Sequence, residues 1–195
     1  MLLYCRSAAG AKILSDTRKR KNHGVQVKKE MDKRKTEKIT CLAVVVIVLA
    51  MSLLHVADWH TVGIYPHCPF YCRLTYSFFH ANILHAILNC WCLVAVMFIY
   101  DITIPRLITA FVIAVSYPVG ITHAVQPTIG LSAVIYALFG SISFSVEHKL
   151  KYQLWMLFYV LLGFAMPQTN ALIHLYCYLC GFIVALLNKP IKIKR

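Results

Sequence analysis

Four side chains with chemical potential sit in apolar surroundings. Ser132 follows Gly130 and Leu131 in a stretch with no Asp, Glu, Lys or Arg from Leu107 to Val146. His174 lies in a second apolar run, and His85 and Asn89 lie in a third. Polar groups are costly in a bilayer, so several in one small apolar chain point to chemistry inside a membrane. A serine hydroxyl is a weak nucleophile until a base takes its proton, and histidine titrates in the useful range. Acyl transfer also needs donors for the developing oxyanion. His85 and Asn89 are four residues apart and share one helix face. Their side chains, with the N–H of Ser132 at a helix N-terminus, are candidate oxyanion donors. No acidic residue lies beside them in the apolar runs, so the candidate is a Ser-His dyad.

The elements that must hold these residues are apolar runs at Ile39–Ala57, Ile83–Tyr100, Leu107–Val125, Leu131–Val146, Tyr152–Met166 and Ala171–Leu187. A helix crosses a hydrocarbon core of about 30 Å with roughly 20 residues. Four runs approach that length, and the fourth and fifth are shorter. The predicted fold is an all-α membrane protein, a bundle of six transmembrane helices spanning residues 39–188. A basic, disordered cytoplasmic tail (1–38) precedes it and a basic cytoplasmic tail (189–195) follows. With both termini inside, 19 of the 20 Lys and Arg residues are cytoplasmic and only Arg73 is outside. The positive-inside rule selects this orientation.

Residues 58–82 then form an external loop with seven aromatic residues, as suits a segment embedded at the membrane interface. Pro66, Pro69 and Gly63 argue against a continuous helix there. Pro118, Gly120, Pro127 and Gly130 predict an early end to the third helix and a loop into the fourth. Ser132 heads that short fourth helix, below the outer surface. His85, Asn89 and His174 fall at the outer ends of their own helices, so all four groups share one depth. Ala133, Ala137 and Ser141 in the fourth helix, and His174, Cys177, Gly181 and Ala185 in the sixth, form small-residue stripes that permit close helix approach.

Composition narrows the alternatives. The chain of 195 residues is 59% hydrophobic and 14% charged, against about 25% charged in soluble domains. Twelve Lys and Arg lie in residues 1–38 and four in 189–195, so the +13 charge belongs to the ends. Basic residues beside a first span fix topology and meet anionic lipid, a better account of Arg18-Lys19-Arg20-Lys21 than nucleic acid. The long charged stretch before the first apolar run does not read as a signal peptide. Cys177-x-x-Cys180 lacks the βαβ context of a redox motif. Cys68 and Cys72 lie in a polar loop and can pair if that side is oxidising. The nine histidines leave haem or metal binding open, though no H-E-x-x-H is present. Ser, Asn and His can also serve as polar glue between membrane helices.

Three segments together resemble the rhomboid intramembrane serine proteases. Gly130-Leu131-Ser132-Ala133-Val134-Ile135-Tyr136-Ala137-Leu138-Phe139-Gly140 resembles the family's serine motif, and the segment from His80 through His85 to Asn89 resembles its His-x4-His-x3-Asn pattern. His174 followed by Gly181 resembles its last-helix motif. The resemblance covers roughly residues 40–187. It implies that Ser132 is the nucleophile, His174 the general base, and His85 and Asn89 part of the oxyanion hole. It also implies that Tyr136 packs on the His174 ring, that Gly130 belongs to the serine motif, and that His80 and Arg73 are structural. Substrates would be single-span membrane proteins entering laterally, with no cofactor and no nucleic acid. The six-span layout suits a minimal form in a bacterial plasma membrane. Ala133 and Cys177 stand where the family usually has Gly. An inactive rhomboid-like protein that binds transmembrane helices is the alternative that these two residues leave open.

Overall fold

The computed structural model describes residues 2–54, 56–121, 126–166 and 169–188, with backbone alone at 2–22 and 121. The described residues form an all-α protein: α1 (Leu2–Ser52), α2 (Phe70–Thr75), α3 (Ile83–Ile99), α4 (Ile104–Val115), α5 (Ser132–Ser141), α6 (Lys149–Ala165) and α7 (Ala171–Leu187). Three short 3-10 turns complete them, and the one β-type contact is an isolated bridge between Ile64 and Thr128. Contacts divide the chain into two units, Met1–Ile39 and Thr40–Arg195. The first unit is the N-terminal part of α1. The second holds everything that positions the candidate site.

The six predicted runs each contain a helix, with two differences. Helix α1 starts at Leu2, where composition predicts a disordered tail over 1–38. That stretch has no proline and is rich in Lys and Arg, both good helix formers. The third run, Leu107–Val125, ends early, as Pro118 and Gly120 predict: it is helical to Val115, and residues 122–125 lie outside the described residues. The fourth, Leu131–Val146, is helical only to Ser141 and continues as turns. At this end Ser141 Oγ bonds back to Leu138 O at 2.7 Å and Ser143 Oγ to Phe139 O at 3.5 Å. The C-terminal tail 189–195 lies outside the described residues.

Local signals set the other boundaries. Asn82 caps α3 by accepting from the His85 N–H at 2.8 Å, and Asn170 caps α7 by accepting from the Ile173 N–H at 3.3 Å. Pro105 opens α4, where its missing N–H costs nothing. The loop from 58 to 82 is broken, as its prolines predict, into two 3-10 turns and the six-residue α2. Cys68 and Cys72 are both free thiols, and the Cys72 Sγ is turned toward the carbonyls of His60 and Thr61.

Helices α5 and α7 form the most intimate pair, with α4 packed against both. A β-carbon built on Gly181 would collide with the Ala137 carbonyl oxygen, and one built on Gly140 with that of Tyr178. Two backbones therefore touch where side chains usually keep helices apart. The buried core runs through this contact: Ala133, Val134, Ala137 and Leu138 from α5, Ile173 and Cys177 from α7, with Leu93 and Ala114 from α3 and α4. Cys177 is fully buried, so its sulfur fills the seam. The opposite faces are apolar and exposed, as at Leu84, Leu88 and Trp91 on α3 and Leu154, Phe158 and Leu161 on α6. No single described helix is both 18 residues long and apolar enough to cross a membrane; the pair Phe70–Phe78 and Ile83–Ile99, bent by 85°, meets both conditions together.

The contact yields a first prediction. Gly181→Ala should lower stability by about 1–3 kcal/mol, the usual cost of overpacking a tight core. Gly24→Ala, at a helical position with nothing within 4 Å, should not. Thermal unfolding in detergent micelles, followed by circular dichroism, measures both.

Candidate active site

Ser132 is the first residue of α5 and His174 lies in the first turn of α7. The tight α5–α7 pair therefore brings two helix starts together. Ser132 Oγ lies 2.8 Å from His174 Nε2. For the hydroxyl to donate to that nitrogen, the imidazole proton must sit on Nδ1, the arrangement a general base requires. The Tyr136 ring stacks on the His174 ring at 4.3 Å with the planes 7° apart, which fixes the ring's orientation. Nδ1 of His174 is buried with no hydrogen-bond partner among the described residues. Among the described residues no carboxylate bonds to Nδ1, and the Tyr136 stack is what holds the plane of the ring.

The loop before Ser132 is held by separate clamps. Gly130 has φ 120°, a conformation that suits glycine, and a β-carbon there would stand 3.0 Å from Cε1 of His85. The His85 ring thus abuts the backbone that leads into Ser132. The Gly130 N–H donates to the Tyr76 carbonyl at 2.9 Å, and the Leu131 N–H to His80 Nε2 at 3.1 Å. His80 Nδ1 lies 3.3 Å from Ser52 Oγ, whose own proton goes to the Val48 carbonyl at 2.7 Å. With Nε2 accepting, Nδ1–H donates to Ser52, and the relay is complete from the end of α1 to the serine loop. Further back, Ile64 and Thr128 exchange backbone bonds of 2.9 Å, and Asn170 Nδ2 donates to Thr128 Oγ1 at 2.9 Å.

Each candidate residue has a definite place. Ser132, His174 and Tyr136 are in contact. His85 and His80 lie edge to face at 4.9 Å beside Gly130. Asn89 is buried on α3, and its Nδ2 has no partner among the described residues. The N–H of Ser132, as a first-turn donor, has no partner within α5. Arg73 is away from this chemistry: its guanidinium donates to the carbonyls of Val115 (3.1 Å) and Tyr117 (2.7 Å), closing the end of α4. Ala133 is 1% exposed, so its methyl faces packed protein and not accessible space beside Ser132. Cys177 does not part the two helices.

Ser52, Thr128 and Asn170 escape the sequence reading. Asn170 alone carries a signal, an Asn just before an apolar run, but that signal names a cap and not a tether to Thr128. Among the described residues no group of three His, Cys, Asp or Glu is arranged to hold a metal. No protein-family model matches the chain, and comparison with curated proteins gives no match.

Burial, with the His85 ring adding to it, pulls the His80 pKa down from 6.5 to about 4. The folded protein therefore keeps His80 neutral while the unfolded chain protonates it near 6.5. The stability it contributes is complete above about 6.5 and is lost as pH falls toward 4, a change of about 3 kcal/mol at most. His80→Gln retains an acceptor and a donor but does not titrate. Its melting temperature should fall less than the wild type's between pH 7 and pH 4.5. Parallel curves would show that the loss arises elsewhere.

Proposed function

We propose that the chain is an intramembrane serine endopeptidase of the rhomboid type, cleaving single-span membrane proteins with Ser132 and His174. One observation carries the reading: Ser132 Oγ is 2.8 Å from His174 Nε2 while Tyr136 stacks on that imidazole. Interhelical glue accounts for a lone Ser-His bond. It does not account for an imidazole stacked on Tyr136 and a glycine-built serine loop leading into the same bond.

In this mechanism Ser132 Oγ attacks the scissile carbonyl as His174 takes its proton. The oxyanion forms near the Ser132 N–H, with Asn89 Nδ2 and the His85 ring as further donors. His174 then protonates the leaving amine, and water, activated by the same base, hydrolyses the acyl-enzyme. No cofactor enters.

The membrane setting is part of the proposal. Six helices, the C-terminal part of α1 with α3 to α7, serve as the six passes, with both termini cytoplasmic. A 17-residue helix such as α3, α6 or α7 is about 26 Å long, close to a hydrocarbon core. Helix α5, with ten residues, covers about 15 Å. Its flanking loops complete the crossing, as non-helical backbone can where it is buried in protein or lines a water-filled cavity. The exposed Leu, Trp and Phe side chains of α3 and α6 supply a lipid-facing perimeter.

Cleavage of a single-span reporter in liposomes tests the reading. Ser132→Ala and His174→Ala should each lose at least about 10³-fold in rate, and the double variant no more, because the two act as one unit. Asn89→Ala should lose about 10²-fold. Equal cleavage by wild type and Ser132→Ala overturns the proposal. A wild type that holds the reporter uncut favours the inactive helix-binding alternative.

A further inference from the structure

A groove of about 260 Å³ opens between α4 and α7, floored by α5, at the helix ends farthest from Ser132 and His174. Arg106, Thr109, Ala110, Val184, Ala185 and Asn188 line it. We propose that this groove binds the headgroup of an anionic phospholipid, with Arg106 on the phosphate. The inference rests on the membrane reading but not on peptidase activity.

The charge argument starts at Arg106. It stands in the first turn of α4, half-buried, and donates to the Ser141 carbonyl at 2.8 Å. A guanidinium has five N–H donors in a planar fork, and this bond uses one. Among the described residues no carboxylate pairs with it. A partly buried cation in that position favours an anion to offset its lost hydration. The complement of this half-buried guanidinium is therefore negative.

The groove wall decides which anion. Beside Arg106, Thr109 and Asn188 it is built from Ala110, Val184 and Ala185. Inorganic phosphate satisfies the cation and leaves that apolar wall wet. A phospholipid does both, setting its phosphate on Arg106 and its first methylenes along the alanines. The volume is too small for a whole lipid, so the acyl chains continue over the apolar outer face. An anionic headgroup is favoured over a zwitterionic one, whose own cation opposes the Arg106 guanidinium.

The test uses the full chain extracted in detergent, with bound lipid counted by native mass spectrometry. Phosphatidylglycerol should be retained at least about tenfold more tightly than phosphatidylcholine, as expected for a charge-assisted bond to a buried cation. Millimolar inorganic phosphate should not displace it. Arg106→Gln should bring phosphatidylglycerol down to the phosphatidylcholine level. Because that variant also weakens the Ser141 bond, Val184→Trp fills the groove with Arg106 intact, and should show the same loss at an unchanged melting temperature. Equal retention of the two lipids, displacement by phosphate, or full retention by both variants overturns the proposal. Alkaline carbonate washing of the same membranes separates the failures. A chain released by carbonate refutes the membrane reading and the groove with it. A chain that stays without lipid preference refutes the groove alone.

Discussion

The contact between α5 and α7 is the constraint on which the rest depends. Gly181 lies against the Ala137 carbonyl and Gly140 against that of Tyr178. No side chain separates these backbones, so the register of the two helices is set at atomic contact and not by deformable packing. Ser132 opens one helix and His174 lies in the first turn of the other. A hydrogen bond of 2.8 Å between them tolerates little sliding. The glycines lie about two turns from the Ser-His pair along each helix. They act on it as a fulcrum acts on the end of a lever.

A second constraint belongs to the loop that ends at Ser132. Its N–H groups at Gly130 and Leu131 are given to Tyr76 and His80, and the bridge between Ile64 and Thr128 fastens its other end. Backbone buried in apolar surroundings must find such partners, because each unmet group costs the full desolvation penalty. The aromatic loop from 58 to 82 supplies most of them. Arg73 and Tyr76 in turn anchor that loop to the end of α4. The loop is irregular because it serves as a bonding partner for another irregular segment.

Much of this is legible in residue order. The apolar runs, the caps at Asn82 and Asn170, the break at Pro118 and the small-residue stripes all follow from local rules, and the helices fall where they predict. The candidate site is partly legible as well, because Ser132, His174, His85 and Asn89 can be placed at one level by counting residues. The early end of α5 is hidden by an apolar pattern that runs on to Val146. The helix through residues 2–38 reflects propensity in a stretch whose charge predicts disorder.

The sequence by itself determined which polar residues lie in apolar helices and how far each stands from its helix start. Those are properties of short windows, governed by periodicity, capping and charge. The tertiary structure shows Ser132 bonded to His174 and Tyr136 over the imidazole, contacts that the resemblance had implied, and it alone decided the chain from Val48 through Ser52 and His80 to Leu131. It also separated Arg73, which closes a helix end, from Arg106, which lines a groove. The reason is geometric. A hydrogen bond between residues 28 or 51 positions apart depends on how several helices pack at once, and no local window contains that information.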